Sequence, residues 1–380
     1  MTHSFVGRIA AALLAAAFLA LPGELAAQSA ATTGVIRGTV SDGAGAPLVG
    51  ATATLRNTAT NVTRTVQSNV AGVFVAPLLP LGSYEVRVRA VGHRPVEQKG
   101  ISVTVGSTVA LSFKLERAAT ELQAVTISAT QDAQVDPSRT TVAASLGASA
   151  IKALPNNGRN FLALTTLTPN VAVAQGPDGD VLSIAGQRGI HNNVSVDGAD
   201  FNNPFFGEQR GGQRPAFTFN LDAVQEMVVT AQGANAEFGR SSGGFVNVIT
   251  KSGTNTRSGS LHYFGKSSAL SGDLKGNGVT LKPDFAQHQF GFTLGGPIKQ
   301  DKAWYFVAYD QQAFSETKQT DRGSSPAFSK LKAWTDTAYG GALRGDFGPT
   351  DRTNDAQVLM LKLDYKVSDR TNASLKYNFT

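Results

Sequence analysis

The sequence predicts a mainly β protein, in which a β-sandwich precedes a mixed α/β region and the first strands of a transmembrane β-barrel. Short alternating segments, separated by turn residues, fill residues 34–116. Alternating segments of about ten residues recur from residue 256 onward, which is the length of a tilted transmembrane strand. Charged residues make up only 16% and glycine contributes 40 of 380 residues, so the composition also favours β structure with many turns.

The first 27 residues predict an export signal peptide. Arg8 precedes an apolar run over 9–21, and we expect cleavage near Ala27. The run has about 13 residues, whereas a membrane helix needs roughly 20; the alternative is a buried core helix. The absence of cysteine excludes disulfides, thiolate catalysis and a lipidated cysteine. Because the net charge is only +6 and the basic residues are scattered, we expect no nucleic-acid binding.

Residues 34–116 contain seven short segments that predict the strands of a β-sandwich. Turn residues such as Gly72, Gly82 and Gly92 separate them. The segments are GVIRGTVSD, ATATLRN, TRTVQSN, GVFVAPL, GSYEVRVRAVG, GISVTV and TVALSFKLE. The stretches SDGAGAPLVGATATL and AGVFVAPLLPLGSYEVRVRAVGH resemble the carboxypeptidase regulatory-like domain. That resemblance implies a transthyretin-like sandwich without catalytic machinery.

Residues 117–135 predict a polar linker that contains one weak strand. In the stretch ELQAVTISAT, Val125 and Ile127 are β-branched and apolar, and Thr126 and Ser128 beside them are polar. A lone strand with unpaired edges tends to recruit another chain. From the residues alone, this segment is either an extra edge strand of the sandwich or part of the linker.

Residues 136–255 predict a mixed α/β region. GASAIKALP predicts a short helix that Pro155 ends, and RNFLALTTLTP places Phe161, Leu164 and Leu167 at helical spacing. VLSIAGQR and NNVSVDGADF predict strands, and FNLDAVQEMVVTAQG and AEFGRSSGGFVNVITKSGTN complete the region.

Residues 256–380 predict the start of an outer-membrane barrel with the strands SGSLHYFGKS, QHQFGFTLGG, KAWYFVAYDQ, QVLMLKLDYKV and NASLKYNFT. Phe290 and Leu294 alternate with Gln289 and Thr293, but a soluble half-buried sheet would alternate in the same way. The connections favour the barrel, because they run long, short, long, short, as extracellular loops and periplasmic turns do. Since five strands cannot close such a barrel, we expect the chain to be the N-terminal part of a longer protein.

Two short motifs suggest enzymatic or metal chemistry, and in both a turn is the better interpretation. GRSSG matches the nucleophile-elbow pattern with Ser241 at its centre, but the β-branched segment GFVNVIT follows where the elbow needs a helix. GPDGD, at 176–180, lacks the further carboxylates of a calcium loop. We therefore expect no catalytic residue, no metal site, no cofactor and no enzyme activity.

The stretch AGQRGIHNNVSVDGADFNNP carries Arg188-Gly189 after one predicted strand and Asp197-Gly198 after the next. Asp-Gly commonly forms a tight turn, yet the whole stretch resembles the plug domain of TonB-dependent outer-membrane receptors. LPNNGRNFLALTTLTPNV, EFGRSSGGFVNVITKSGTN and FGFTLGGPIKQDKAWYFVAYD extend the resemblance over residues 150–310. With the sandwich, these stretches resemble the subfamily that carries a carboxypeptidase regulatory-like extension.

The resemblance implies a domain order and a set of functional residues. The domains are a signal peptide (1–27), a sandwich (34–116), a linker (117–135), a plug (136–255) and the first strands of a large barrel (256–380). QAVTIS resembles the TonB box, which implies that TonB binds Ala124, Val125, Thr126, Ile127 and Ser128. Arg188, Gly189, Asp197 and Gly198 match plug motifs with a structural role. A Gly-rich loop follows with Phe205, Phe206, Arg210 and Arg214, which we expect either to contact ligand or to pack against the barrel wall.

The implied function is ligand-specific, energy-coupled uptake across the outer membrane, with the sandwich and the TonB box in the periplasm. The implied partners are TonB with its inner-membrane proton-driven motor, outer-membrane lipid, and an extracellular ligand that the sequence leaves open. Two alternatives stay open: an outer-membrane adhesion or organising protein that does not transport, and a receptor that signals to an inner-membrane anti-sigma factor.

Overall fold

The computed structural model describes residues 31–117, 125–128, 142–156, 159–176, 179–203, 219–233, 239, 241–276, 279–281, 284–318, 326–341, 350–369 and 371–380. The predicted signal peptide lies outside these ranges. The described strands form three successive regions: a sandwich, a plug and a wall of long antiparallel strands. Within the described ranges, no helix has the length and apolar character needed to cross a membrane.

Seven strands form the sandwich, and each overlaps one of the seven predicted segments, although β6 begins four residues before the predicted GISVTV. They are β1 (Gly34–Asp42), β2 (Thr52–Asn57), β3 (Thr63–Gln67), β4 (Val73–Leu79), β5 (Gly82–Arg89), β6 (Val96–Val103) and β7 (Thr108–Leu115). One sheet has the order β4-β1-β7, and the other contains β3-β2-β5-β6. Because alternate residues point inward, the core between the sheets is apolar and includes the fully buried Ile36, Leu55, Phe74, Phe113 and Leu115.

An eighth strand, β8 (Val125–Ser128), extends the second sheet beyond residue 116 to the order β3-β2-β5-β6-β8. It runs parallel to β6, with Val96 opposite Val125 and Lys99 opposite Ser128. The segment that the sequence left open as linker or edge strand is therefore an edge strand of the sandwich.

The plug consists of short strands and two short helices between residues 142 and 250. In chain order these are β9 (Val142–Gly147), α1 (Ala148–Ala153), α2 (Phe161–Thr165), β10 (Val171–Gly176), β11 (Gly179–Ile184), β12 (Asn193–Val196), β13 (Ala199–Asp200), β14 (Val224–Gln232) and β15 (Phe245–Thr250). Five of them form one sheet in the order β13-β12-β15-β14-β9, and β10 pairs with β11. All six residues of β15 are buried, so this strand is the centre of the plug.

The two plug helices begin where the sequence predicts them. Helix α1 ends before Pro155, because the residue before the proline, Leu154, has an extended backbone (φ −77°, ψ 135°). In α2, Phe161 and Leu164 are buried as their spacing predicts. Leu167 differs, since α2 ends at Thr165 and leaves this side chain 53% exposed.

The wall is an antiparallel sheet of five long strands with the order β16-β19-β20-β22-β23. Its elements are β16 (Ser258–Ser267), β17 (Leu274–Gly276), β18 (Val279–Leu281), β19 (Phe285–Lys299), β20 (Ala303–Lys318), α3 (Pro326–Ala338), β21 (Thr350–Thr353), β22 (Ala356–Lys366) and β23 (Asn372–Phe379). The small hairpin β17–β18 lies in the first long connection, and α3 and β21 lie in the second. The predicted five strands and their long and short connections are confirmed.

The outer face of the wall is apolar, and the face that meets the plug carries buried polar side chains among apolar ones such as Phe306 and Met360. Outward side chains include Leu375, which is 69% exposed, and Phe290, Leu294 and Leu363. Inward side chains include Gln289 at 2% and Asp310 at 1% exposure. A soluble sheet would bury its apolar face, whereas a transmembrane barrel turns it toward lipid. The direction of the alternation therefore excludes the soluble-sheet alternative.

The sandwich contacts the end of the wall that carries the short turns. Asn61 donates a hydrogen bond from Nδ2 to Asp301 Oδ1 (3.1 Å), and the backbone N–H of Asn255 donates to the carbonyl oxygen of Ala59 (2.9 Å). Asp301 belongs to the turn between β19 and β20. Because short turns of outer-membrane barrels are periplasmic, this contact assigns the sandwich to the periplasmic end.

Candidate functional site

The Asp197-Gly198 motif forms a two-residue turn that joins β12 to β13. Val196 pairs with Ala199 across the turn, and both turn residues have positive φ (51° and 80°). This is the type I′ geometry that Asp-Gly favours, because glycine adopts a positive φ without steric cost. The tight turn expected from the sequence is therefore present.

The turn places the Asp197 carboxylate between the plug and two lysines of the wall. Oδ1 accepts a hydrogen bond from the backbone N–H of Thr250 (2.8 Å), and Oδ2 accepts from Thr250 Oγ1 (2.5 Å). Lys376 Nζ, on β23, lies 2.7 Å from Oδ2, and Lys362 Nζ, on β22, lies 3.9 Å from it. The plug is thus ion-paired to the wall at this point.

The charge of Asp197 is stabilised in this site. Burial alone would raise the pKa of its carboxyl group, but the ammonium groups of Lys362 and Lys376 and the hydrogen bond from Thr250 outweigh burial and hold that pKa below its ordinary value. Lys362 also donates from Nζ to the carbonyl oxygen of Thr250 (3.3 Å), so the plug backbone takes part in the same cluster.

A second polar contact between plug and wall centres on Asp222. Arg159 Nη2 lies 3.0 Å from Asp222 Oδ1, and Nδ1 of the wall residue His262 lies 2.8 Å from Asp222 Oδ2. The hydrogen bond from His262, with the charge of Arg159, holds the pKa of Asp222 well below its ordinary value. Next to it, Asn220 Nδ2 donates to the wall carbonyl oxygen of Tyr309 (2.9 Å). The plug is therefore tied to the wall through side chains on both partners.

The Arg188-Gly189 motif begins a single 3₁₀ turn, Gly189–His191, in which Gly189 is buried. The carbonyl oxygen of His191 accepts hydrogen bonds from Ser241 Oγ (3.0 Å) and from the backbone N–H of Gly243 (3.0 Å). Ser241 Oγ also lies 2.8 Å from the carbonyl oxygen of Gly244, and β15 follows directly. Ser241 thus joins the turn of the Arg188-Gly189 motif to the GRSSG segment. This structural role agrees with the prediction that GRSSG forms a turn.

A cavity of about 430 Å³ lies between the plug and the wall. It is lined by Arg159 from the plug and by Phe264, Lys266, Gln287 and Gln289 from β16 and β19, among others. The Arg159 guanidinium lies 4.7 Å from the centre of the Phe264 ring, a cation–π contact. The lining is therefore basic, amide-rich and aromatic.

Two of the sequence-predicted sites fall partly or wholly outside the described residues. Of the predicted TonB box, Val125–Ser128 is described as β8, whereas Ala124 is not described. The predicted ligand loop with Phe205, Phe206, Arg210 and Arg214 is also outside the described ranges. Its two described flanks meet in the plug core, where the rings of Phe201 and Phe219 lie 6.0 Å apart.

Sequence reasoning missed the partners of the plug motifs. Lys362, Lys376 and His262 are ordinary alternating polar residues of wall strands, and each meets a plug carboxylate far away in the chain. Only a weak sequence feature could have identified these partners. They are charged or titratable side chains that alternate with the lipid-facing residues of predicted barrel strands and therefore face the plug.

A sheet with an apolar outer face and buried polar side chains on its inner face, ion-paired to an internal domain, defines an outer-membrane barrel protein with a plug. The carboxypeptidase regulatory-like domain family matches residues 35–116, and the outer membrane beta barrel domain family matches residues 249–331. The TonB-dependent transporter Oar of Myxococcus xanthus is 28% identical over 340 residues, which cover 83% of this chain and 30% of that protein. The chain thus spans less than a third of the length of this relative.

Two similar solved structures are a siderophore receptor and an outer membrane transporter. The siderophore receptor PirA from Acinetobacter baumannii shares 16% identity with a TM-score of 0.43, over 62% of this chain and 31% of that chain. The outer membrane transporter YddB from Escherichia coli shares 15% identity with a TM-score of 0.44, over 62% of this chain and 32% of that chain. The two domain families and the relative from Myxococcus xanthus show that the chain is similar to a TonB-dependent transporter and that it carries a carboxypeptidase regulatory-like domain and part of an outer membrane beta barrel domain.

Proposed function

We propose that the protein imports a specific ligand across the outer membrane and that TonB energises this import by binding at Ala124–Ser128. The observation that supports the proposal best is the plug, which contacts the polar face of the wall through Asp197 and Asp222. A plugged barrel blocks passive diffusion, so passage requires the plug to move or rearrange.

The plug contacts suit such a movement. Most of the side-chain contacts described above are hydrogen bonds and ion pairs, and a small apolar cluster joins the single plug residue Ala223 to Phe306, Ala308 and Met360 of the wall. Water can replace a neutral hydrogen bond at a net cost of about 1 kcal/mol, and a hydrogen bond to a charged group at about 1.5–3 kcal/mol. A plug held by polar contacts can therefore shift far more easily than one held by a large apolar core.

The energy for that shift has to come from outside the outer membrane, which has neither ATP nor an ion gradient of its own. A strand in the periplasm that pairs with TonB supplies a mechanical link to the inner-membrane proton-driven motor. Main-chain hydrogen bonds provide affinity without demanding one strict sequence, which fits the short segment Val125–Ser128. In this mechanism, ligand occupancy shifts an existing equilibrium of the plug.

The ligand would meet the plug loop that carries Phe205, Phe206, Arg210 and Arg214, since aromatic and arginine side chains dominate recognition surfaces. The basic and aromatic cavity beside Arg159 is a second surface between plug and wall that a ligand could pass. The identity of the ligand stays open among iron chelates, cobalamin, glycans and peptides.

The test is a proline in the proposed TonB strand. Proline has no N–H to donate and is excluded from the interior of a paired strand. We expect Ile127→Pro in the receptor to lower the affinity for the periplasmic domain of TonB at least tenfold and to abolish ligand uptake. The matched control is Ala133→Pro, in the same predicted linker beyond the strand, which should bind TonB as the wild type does.

Unchanged TonB binding by Ile127→Pro would contradict the docking strand. Normal TonB binding by the wild type without uptake of any ligand would favour a signalling receptor, and no binding of TonB at all would favour an adhesion or organising protein.

A further inference from the structure

The edge of β6 is occupied by the segment that we propose as the TonB-binding strand. Val125, Thr126, Ile127 and Ser128 pair in parallel with Val96, Glu97, Gln98 and Lys99. In such a pair, the facing backbone N–H and C=O groups of the two strands bond to each other. The β8 groups that face β6 are therefore not free for a second protein while the pair is closed.

The pairing is short for a physical reason. β8 ends opposite Lys99, and the next residue of β6, Gly100, has φ +76°. The register of β6 against β5 also shifts between Tyr84 and Val86, opposite this position. Because an irregular strand cannot continue an even ladder, the accepting edge is limited to four residues. A ladder of four residue pairs is long enough to hold β8 on β6 and short enough for β8 to dissociate.

The accepting edge sits at a fixed position relative to the plug. Val105, two residues beyond the end of β6, donates from its backbone N–H to Glu226 Oε2 on β14 (3.1 Å). Glu226 is 5% exposed, and its Oε1 accepts a hydrogen bond from Ser145 Oγ on β9 (2.6 Å). A buried carboxylate of the plug sheet therefore anchors the turn that directly follows the strand holding β8.

Residues 129–141 join β8 to the plug strand β9. A chain of that length spans at most about 45 Å when extended, so a pull on a released β8 is passed along the chain to the plug only through these residues.

We infer that the β6 edge of the sandwich is a holding site for the TonB strand of the same chain, and that TonB competes with β6 for Val125–Ser128. This inference rests on the proposed function, because it assumes that this segment is the TonB strand. Within that frame the sandwich keeps the strand from TonB in the resting receptor. The hydrogen bond from Val105 to Glu226 joins the plug to the turn that follows the holding strand.

The experiment uses a disulfide, because residues 1–380 contain no cysteine that could compete. Gln98 and Ile127 are direct partners, so Gln98→Cys with Ile127→Cys should form a disulfide in the oxidising periplasm. The matched control is Glu97→Cys with Ile127→Cys, in which the two positions are one residue out of register. Successive positions along a strand alternate between the two faces of a sheet, so this pair should not bond. Each receptor is purified oxidised and reduced, and its affinity for the periplasmic domain of TonB is measured.

We expect the in-register pair to form the disulfide and the control pair to stay reduced. The oxidised in-register receptor should bind TonB at least tenfold more weakly than the same receptor after reduction. Two results would overturn the inference: no disulfide in the in-register pair, or equal TonB affinity of its oxidised and reduced forms. The second result would mean that TonB adds to the outer edge of β8 without displacing it.

The two proposals fail in different ways. If Ile127→Pro loses TonB binding and the disulfide leaves it unchanged, only the holding site is wrong. If Ile127→Pro binds TonB normally, the segment is not the TonB-binding strand. The inference of a holding site for that strand is then also wrong, even if the disulfide forms.

Discussion

The strands of the sandwich and of the barrel wall alternate polar and apolar residues in the same way. The sandwich points its apolar side chains inward to a core, whereas the wall points apolar side chains outward. In the sandwich, Phe74 on β4 and Phe113 on β7 both point into the core from the same sheet, with ring centres 6.1 Å apart. In the wall, Phe290 and Leu375 point away from the protein, while Lys362 is only 8% exposed. The alternation therefore tells which residues share a face of the sheet. Whether the apolar face is buried in the protein or exposed depends on whether water or lipid surrounds the sheet.

This difference explains why the connections between strands were more informative than the strands. Period-two alternation is common to any sheet with two unlike faces. The regular change between long and short connections reflects an asymmetric environment, with a membrane between two compartments. The outward apolar face of the wall and the sandwich beside the turn at Asp301 agree with that asymmetry.

The largest expected effect comes from placing a charge on the outer face of each region. Leu361 lies outward at the middle of β22, and Val75 lies outward on β4. An arginine on the lipid face near the midplane costs about 2–4 kcal/mol, whereas an exposed sandwich position should change by less than about 0.5 kcal/mol. We expect Leu361→Arg to lower the fraction of folded barrel in lipid vesicles, measured by heat-sensitive gel mobility, and Val75→Arg to leave it unchanged. Equal tolerance at both positions would contradict the outward-facing assignment of β22.

The next effect concerns the ion pair that holds the plug. Asp197→Asn removes the charge opposite Lys376 and Lys362, and hydrogen bonds to charged groups contribute about 1.5–3 kcal/mol. Because the pKa of Asp197 is lowered in the folded protein, its stabilising contribution is present above the ordinary aspartate pKa of about 3.9 and is lost as the pH falls through the lowered value. We expect faster hydrogen exchange at Val196–Asp200 in Asp197→Asn at pH 7.

Acid provides the control for that prediction. The wild type should lose protection of the same amides as the pH falls below about 4, while that part of the pH dependence should be absent from Asp197→Asn. Identical pH profiles in the two proteins would show that Asp197 does not hold the turn against the wall.

The sequence predicted the sandwich strands and the wall strands well, because each has a local pattern bounded by turn residues. It also located the two motif turns, since Asp-Gly carries its own geometry at Asp197 and Gly198. It could not supply the partners of Asp197 or Asp222, because ion pairs between distant segments of the chain have no local pattern. The pairing of Val125–Ser128 with β6 was left open for the same reason, since an edge strand and a linker strand look alike in one sequence.

The smallest effect is expected when an ion pair on the sandwich surface is removed. We compare this pair with the ion pair between the plug and the wall in the barrel lumen. Arg56 and Glu85 form a pair across β2 and β5 in which the arginine side chain is 45% exposed. Lys376 and Asp197 form a pair in which both side chains are largely buried (16% and 15% exposed). Because water and salt screen the exposed pair, Arg56→Met should cost at most about 1 kcal/mol, and 1 M salt should remove most of that cost.

Lys376→Met should cost more and should respond less to salt, because removing one partner leaves the Asp197 carboxylate buried with Lys362 still 3.9 Å away. Urea denaturation at low and high salt checks both variants, with the unfolding of the sandwich followed for Arg56→Met and the protection of the plug turn for Lys376→Met. If the two variants showed the same salt dependence, the lumen would be as well solvated as the sandwich surface, and the plug would be held by shape rather than by charge.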